Sequence, residues 1–159
     1  MLTTIKHTDA GRNREGFSHE SSDCVVRALA NAASIPYTYA HAFMKHRGRL
    51  DGEGILPSEL EALHGLVIEG KELLVYPLGH SWEAAHGWIT PLDTSITLFI
   101  DEHPIGSFMV HVQGHIFAVV DGVILDKMEE TSTGNISDES IREFGLTRAV
   151  LTIVVVQPV

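Results

Sequence analysis

One cysteine, Cys24, stands in the stretch SSDCVVRALANAA (21–33). Ser22 or Asp23 can cap a helix running from Cys24 to about Ser34, which puts the thiol in the first helical turn. Unpaired N–H groups and the helix dipole favour an anion there. The thiolate is the nucleophilic form of cysteine. On a helical wheel Val25, Leu29, Ala32 and Ala33 gather on one side, and Arg27, Asn31 and Ser34 on the other. Cys24 falls on the seam between them. A small buried residue of an Ala-rich helix would occupy the same position, so the thiol alone does not define a site.

A thiolate nucleophile needs a base, and the base needs an orienting group. The stretch GHIFAVVDGVILD (114–126) offers both. Asp121-Gly122 is a strong signal for a two-residue hairpin turn. Such a turn sets Val120 opposite Val123 and Phe117 opposite Asp126. His115, Phe117 and Asp126 then share a face, and Asp126 becomes a diagonal neighbour of His115 within hydrogen-bonding reach. A carboxylate there fixes the imidazole tautomer and stabilises its charged form. Asp121 has the same parity but lies roughly 20 Å along the strand from His115, so it is the turn residue and not the partner. A helix-start Cys, a strand His and a next-strand Asp suit acyl transfer to sulfur followed by hydrolysis of the thioester.

In this order the residues resemble the papain-like fold, in the broad sense that includes bacteriocin-processing-type cysteine peptidases. In that fold the Cys opens a long helix, the His starts a strand, and an Asp or Asn sits on the following strand. DCVVRALANAA matches the first element at Cys24, and GHIFAVVDGVILD matches the others at His115 and Asp126. The strand-rich run ending at Asp126 is also similar to small phage and prophage proteins described as peptidase-like. The resemblance covers about half the chain, mainly 17–56 and 94–126. It implies a Cys24–His115–Asp126 triad, a peptide or isopeptide substrate, and no cofactor. One position departs from the pattern. Such peptidases often carry a Gln six residues before the Cys to help bind the oxyanion, and here that residue is Ser18. The backbone N–H of Cys24 still offers one donor, with Ser18, His19, Asn13 or another group as the second. This departure and the acidic charge motivate a second reading, a catalytically weak or inactive papain-fold protein of phage origin that binds a host protein.

The elements that must position these residues are legible along the chain. Its 159 residues suit a single domain, 1–159. After a short N-terminal strand and a polar loop, helices are expected from Cys24, from Pro36 to about Arg47, and from Pro57 to Gly65. Strand material follows at 66–77 with a turn at Glu69-Gly70. An irregular stretch at 78–93 holds Trp82, Trp88, His80 and His86; its aromatics offer a lining for a substrate groove, but packing within the loop is the expectation. A short helix at 94–104 is capped by Thr94 or Ser95. Strands are expected at 107–112, 115–120, 123–128 and 149–156, with a helical turn at 137–145. Helices first and an antiparallel sheet after make an α+β fold.

Charge and composition exclude several classes. The formal net charge of −10 opposes nucleic-acid backbones and anionic membranes. Lys45, His46, Arg47 and Arg49 gather near a helix end, where a solvated face is expected, and His41, His46, His64 and His103 are read as helix-end histidines. A single cysteine excludes an intrachain disulfide and a multi-cysteine zinc site, and suits a reducing compartment. No HExxH is present, and metal ligands would have to come from His111, His115, Asp126, His80 or His86, so no metal is expected. No segment approaches the roughly 18 apolar residues of a membrane span, and the polar N-terminus has no signal-peptide core. A cytoplasmic location is the expectation.

Overall fold

The computed structural model describes residues 4–77, 95–126, 130–131, 134–135 and 149–159. The expected helical turn at 137–145, the loop with Trp82, Trp88, His80 and His86, and the end of the strand expected at 123–128 lie outside these residues.

The molecule is a mixed α+β structure. Strand β1 (Thr4–His7) is followed by helices α1 (Cys24–Ala33), α2 (Tyr37–His46) and α3 (Pro57–Glu61). Strands β2 (Val67–Ile68) and β3 (Lys71–Pro77) form a hairpin, and helix α4 (Ile96–Glu102) comes next. Strands β4 (Ser107–Val112), β5 (His115–Val120) and β6 (Val123–Asp126) form a meander. Strands β7 (Glu130–Thr131) and β8 (Gly134–Asn135) pair only with each other, and β9 (Thr152–Pro158) ends the chain. The main sheet has seven strands in the order β1-β6-β5-β4-β9-β3-β2, antiparallel throughout except for the β1–β6 pair.

Two turns set the register around the site. Asp121 (φ 47°) and Gly122 (φ 78°) both take positive φ, as a type I′ hairpin turn requires. Val120 therefore faces Val123, and Val119 faces Ile124, as the turn predicts. Gln113-Gly114 makes a second tight turn that sets Val112 opposite His115. The β1 strand pairs in parallel with β6, with His7 opposite Asp126, and so covers an otherwise open sheet edge.

Strand alternation divides the core in two. Met109, Ile116, Ala118, Leu73, Val154 and Val156 pack with Val25, Leu29 and Ala32 of α1 and with residues of α2 and α3. Phe108, Val110, Phe117, Val119 and Ile153 pack on the opposite face with Ile96, Phe99 and Ile100 of α4. Burying a side chain such as Leu29 or Phe99 contributes about 1.5–3 kcal/mol. Ser95 caps α4, its Oγ accepting from the N–H of Leu98 at 3.2 Å. The C-terminal strand starts three residues later than the sequence suggests and ends at Pro158 rather than Val156. It is central, between β4 and β3, which accounts for the dense apolar run from Ile153 to Val156. Pro36 is the N-cap of α2 rather than part of its first turn. No helix among the described residues is long and apolar enough to cross a membrane.

Two expectations about charged residues fail. Arg49 is not part of a solvated helix end but is 2% exposed. Its guanidinium donates to both carboxylate oxygens of the buried Glu20 at 3.1 Å. His41 is a buried mid-helix residue, not a helix-end one, and its Nε2 lies 2.8 Å from the same carboxylate. Glu20 also accepts from the N–H of Gly52 at 2.6 Å and of Ser21 at 3.0 Å. It thereby fixes the chain just before Cys24 to the 49–52 turn. Burial pushes the Glu20 carboxyl up, but these donors outweigh it and hold it at about 2, against an ordinary value of 4.5. A depressed folded-state value gives stability that is complete above about pH 4.5 and lost as pH falls towards 2. E20Q keeps the shape but removes the charge. In urea melts it should cost about 3 kcal/mol at pH 7 and flatten the loss of stability between pH 4.5 and 2. Parallel stability–pH curves for the two proteins would contradict this.

Candidate active site

Cys24 is the first residue of α1. Ser22 turns the chain into the helix with a positive φ of 49°. Asp23 occupies the N-cap position, but its side chain makes no cap hydrogen bond. Its carboxylate is instead 0% exposed and bound on several sides. Arg12 Nη1 and Arg27 Nε each donate to Oδ1 at 3.1 Å, and the Tyr37 hydroxyl donates to Oδ2 at 2.8 Å. The cap residue foreseen in the sequence has thus been taken by ion pairing, which leaves the first-turn N–H groups beside the thiol free of its carboxylate.

His115 and Asp126 meet as the hairpin geometry predicts. His115 Nε2 lies 2.7 Å from Asp126 Oδ2. A carboxylate accepts, so Nε2 carries the proton and Nδ1 is the ring nitrogen left for the Cys24 thiol, with which His115 also hydrogen-bonds. His115 shares strand parity with Phe117 and Val119, whose side chains enter the α4-side core. Cys24 comes from the helix on the other face. The ring reaches it because His115 is the first residue of β5, and the β5–β6 ladder runs only from Ala118 to Val120.

Arg27, which the helical wheel puts on a polar face, is 1% exposed. Its Nη1 donates to Asp126 Oδ1 at 3.3 Å, while its Nε holds Asp23. Asp126 is therefore gripped by Arg27 through one oxygen and by His115 through the other. One guanidinium ties the residue before the thiol to the carboxylate behind the imidazole. The Asp23–Arg27 half of this link was detectable, because residues four apart on a helix are neighbours. The Arg27–Asp126 half spans 99 positions and has no local signature.

The charges of the pair support each other. Burial pushes the Cys24 thiol up, but the hydrogen bond and charge of His115, the N–H of Ile116 and the charge of Arg27 outweigh it and bring it below the ordinary thiol value. Burial pushes the His115 imidazolium down, but its hydrogen bonds to Asp126 and Cys24 and their negative charges raise it to about 10. Both shifts favour the thiolate–imidazolium pair over the neutral one, and so favour a deprotonated nucleophile.

The pair opens on a cleft of about 430 Å³ lined by Val25, Gly54, Ile55, Pro57 and Ile116, with Ser22 and His111 as polar members. Asn13, Ser18 and His19, considered as oxyanion donors, are exposed and none of them lines this cleft. A larger depression of about 720 Å³ lies between the 8–15 loop and the C-terminal end of α1, away from the thiol. Among the described residues one cluster has metal-ligand spacing, Glu20 with His41 and Asp51. The carboxylate of Glu20 is already saturated by Arg49, Gly52 and Ser21, and a guanidinium within 3.1 Å opposes a cation there. Comparison with protein-family models, curated proteins and solved structures gives no match.

Alkylation of Cys24 by iodoacetamide should stay fast as pH falls below the range where an ordinary thiol protonates. H115A removes the two largest interactions that oppose burial, leaving only the N–H of Ile116 and the charge of Arg27 against it. The inflection in the rate–pH profile should then rise to or above that of a free thiol (about 8.5). An inflection that stays put in H115A would break the link between imidazole and thiolate.

Proposed function

We propose that this chain is a papain-like cysteine hydrolase, with Cys24 as nucleophile, His115 as general acid and base, and Asp126 as the orienting group. The observation that carries the reading is the continuous line from Cys24 through His115 to Asp126 Oδ2, opening on a cleft. A peptide or isopeptide bond is the target, cleaved without a cofactor. A reducing cytoplasm suits a protein that depends on one thiolate.

In the acylation step the Cys24 sulfur bonds to the scissile carbonyl carbon, and the carbonyl π pair moves to oxygen. The backbone N–H of Cys24 stabilises that oxyanion. Collapse restores the carbonyl and breaks the C–N bond, and the His115 imidazolium gives its proton to the departing amine. The imidazole then takes a proton from water, which attacks the thioester. Collapse of the second oxyanion expels the Cys24 thiolate and releases the acid. Asp126 keeps the imidazole in the tautomer both steps need. The Arg27 grip on its second oxygen acts on orientation and makes Arg27 a positioning residue.

The alternative of a binding protein without turnover rests on the net charge of −10 and on Ser18 in place of a Gln. A peptide library digested with the purified chain and read by mass spectrometry separates the two. The hydrolase reading expects cleavage that C24A abolishes, H115A reduces to near background, and D126N lowers by about 10²-fold or more. Cleavage that survives C24A would remove the thiol from the chemistry. No cleavage, with a host partner captured equally by wild type, C24A and H115A, would favour the binding reading.

A further inference from the structure

We propose that His111 is a further catalytic residue, whose imidazole donates a hydrogen bond to the oxyanion formed when the Cys24 thiolate adds to a carbonyl. This rests on the hydrolase reading and supplies the donor that Ser18 does not. His111 lies on β4, paired with Ile116 of β5. It has the parity of Met109, whose side chain packs on the α1 side. Ile116 is the residue whose N–H reaches the Cys24 sulfur, so His111 stands one strand away from that contact. It lines the same cleft as Cys24, Ser22 and His115.

The ring is arranged as a donor. Nδ1 is sealed from solvent and has no hydrogen-bond partner. An enclosed N–H without an acceptor is rarer and costlier than an enclosed lone pair. The proton therefore belongs on Nε2, which is not among the sealed, unpartnered atoms, and in the proposed site that nitrogen faces the cleft. Burial pushes the imidazolium of His111 below its ordinary value, so the ring is neutral near pH 7. A neutral imidazole can donate one hydrogen bond without adding a second positive charge beside the His115 imidazolium. Ser22, the other polar side chain in the cleft, is the competing donor.

Two small reagents separate this role from the reactivity of the thiolate itself. Iodoacetamide alkylates sulfur by displacing iodide and forms no oxyanion. With p-nitrophenyl acetate the sulfur bonds to the carbonyl carbon and the π pair moves to oxygen. Collapse then expels p-nitrophenolate and leaves an acetyl thioester. H111F should lower the second-order rate of p-nitrophenolate release by about 10²-fold and leave iodoacetamide alkylation within about twofold of wild type. H111Q, which restores an N–H donor, should recover part of the loss, and S22A should lose much less than H111F. Equal losses with both reagents, no loss with either, or a selective loss in S22A instead of H111F would overturn the assignment. A wild-type Cys24 no more reactive towards iodoacetamide than a free thiol at pH 6 would overturn the hydrolase reading, a separate result. Circular dichroism of H111F and H111Q checks that both retain the fold.

Discussion

A carboxylate sealed from water must be paired, and the structure around Cys24 is organised by that requirement at Asp23. Leaving an ionised group buried and unpaired costs several kcal/mol, so Arg12, Arg27 and Tyr37 converge on it. Each partner comes from a different part of the chain: the N-terminal loop, α1 itself and the start of α2. Their convergence holds the carboxyl below its ordinary value even though burial alone pushes it up. It also fixes the residue immediately before the thiol, and with it the direction in which α1 begins.

From Asp23 the ionic network continues without a break. Arg27 carries it to Asp126, Asp126 to His115, and His115 to Cys24. Opposite charges alternate along this path, so each group stabilises the charged form of the next. The thiol is held below its ordinary value despite burial because its neighbour is an imidazolium held by a carboxylate that is itself held by a guanidinium. The Glu20–Arg49–His41 cluster plays the corresponding part for the cleft wall, since it anchors the turn that leads to Gly54, Ile55 and Pro57. Positioning and chemistry in this fold therefore depend on the same buried charges.

The pairing of His115 with Asp126 was readable because two adjacent residues, Asp121 and Gly122, set the register of everything near them. The helix starting at Cys24 was readable because its apolar spacing is local. The α+β class followed from the order of such segments. The misreadings share one cause. Arg27 and Arg49 are charged, and local sequence assigns charged residues to solvent. Their burial depends on carboxylates brought in from distant positions. Ser18, His19 and Asn13 precede Cys24 closely in the chain, but nearness in sequence did not bring them into the cleft. His111 entered it instead, from a strand far along the sequence.

The sequence by itself determined the local geometry: a thiol at a helix start, a hairpin with a histidine and an aspartate on one face, and an acidic chain with a single cysteine. These depend on turn chemistry and on the periods of helix and strand, which act over a few residues. Only the tertiary structure decided that the helix start lies over the end of β5, that Arg27 crosses 99 positions to Asp126, and that His111 and not Ser18 lines the cleft with the thiol. Those contacts are chosen by packing two cores on opposite faces of one sheet and by pairing every charge that the packing seals from water, and neither condition is written in any single stretch of the chain.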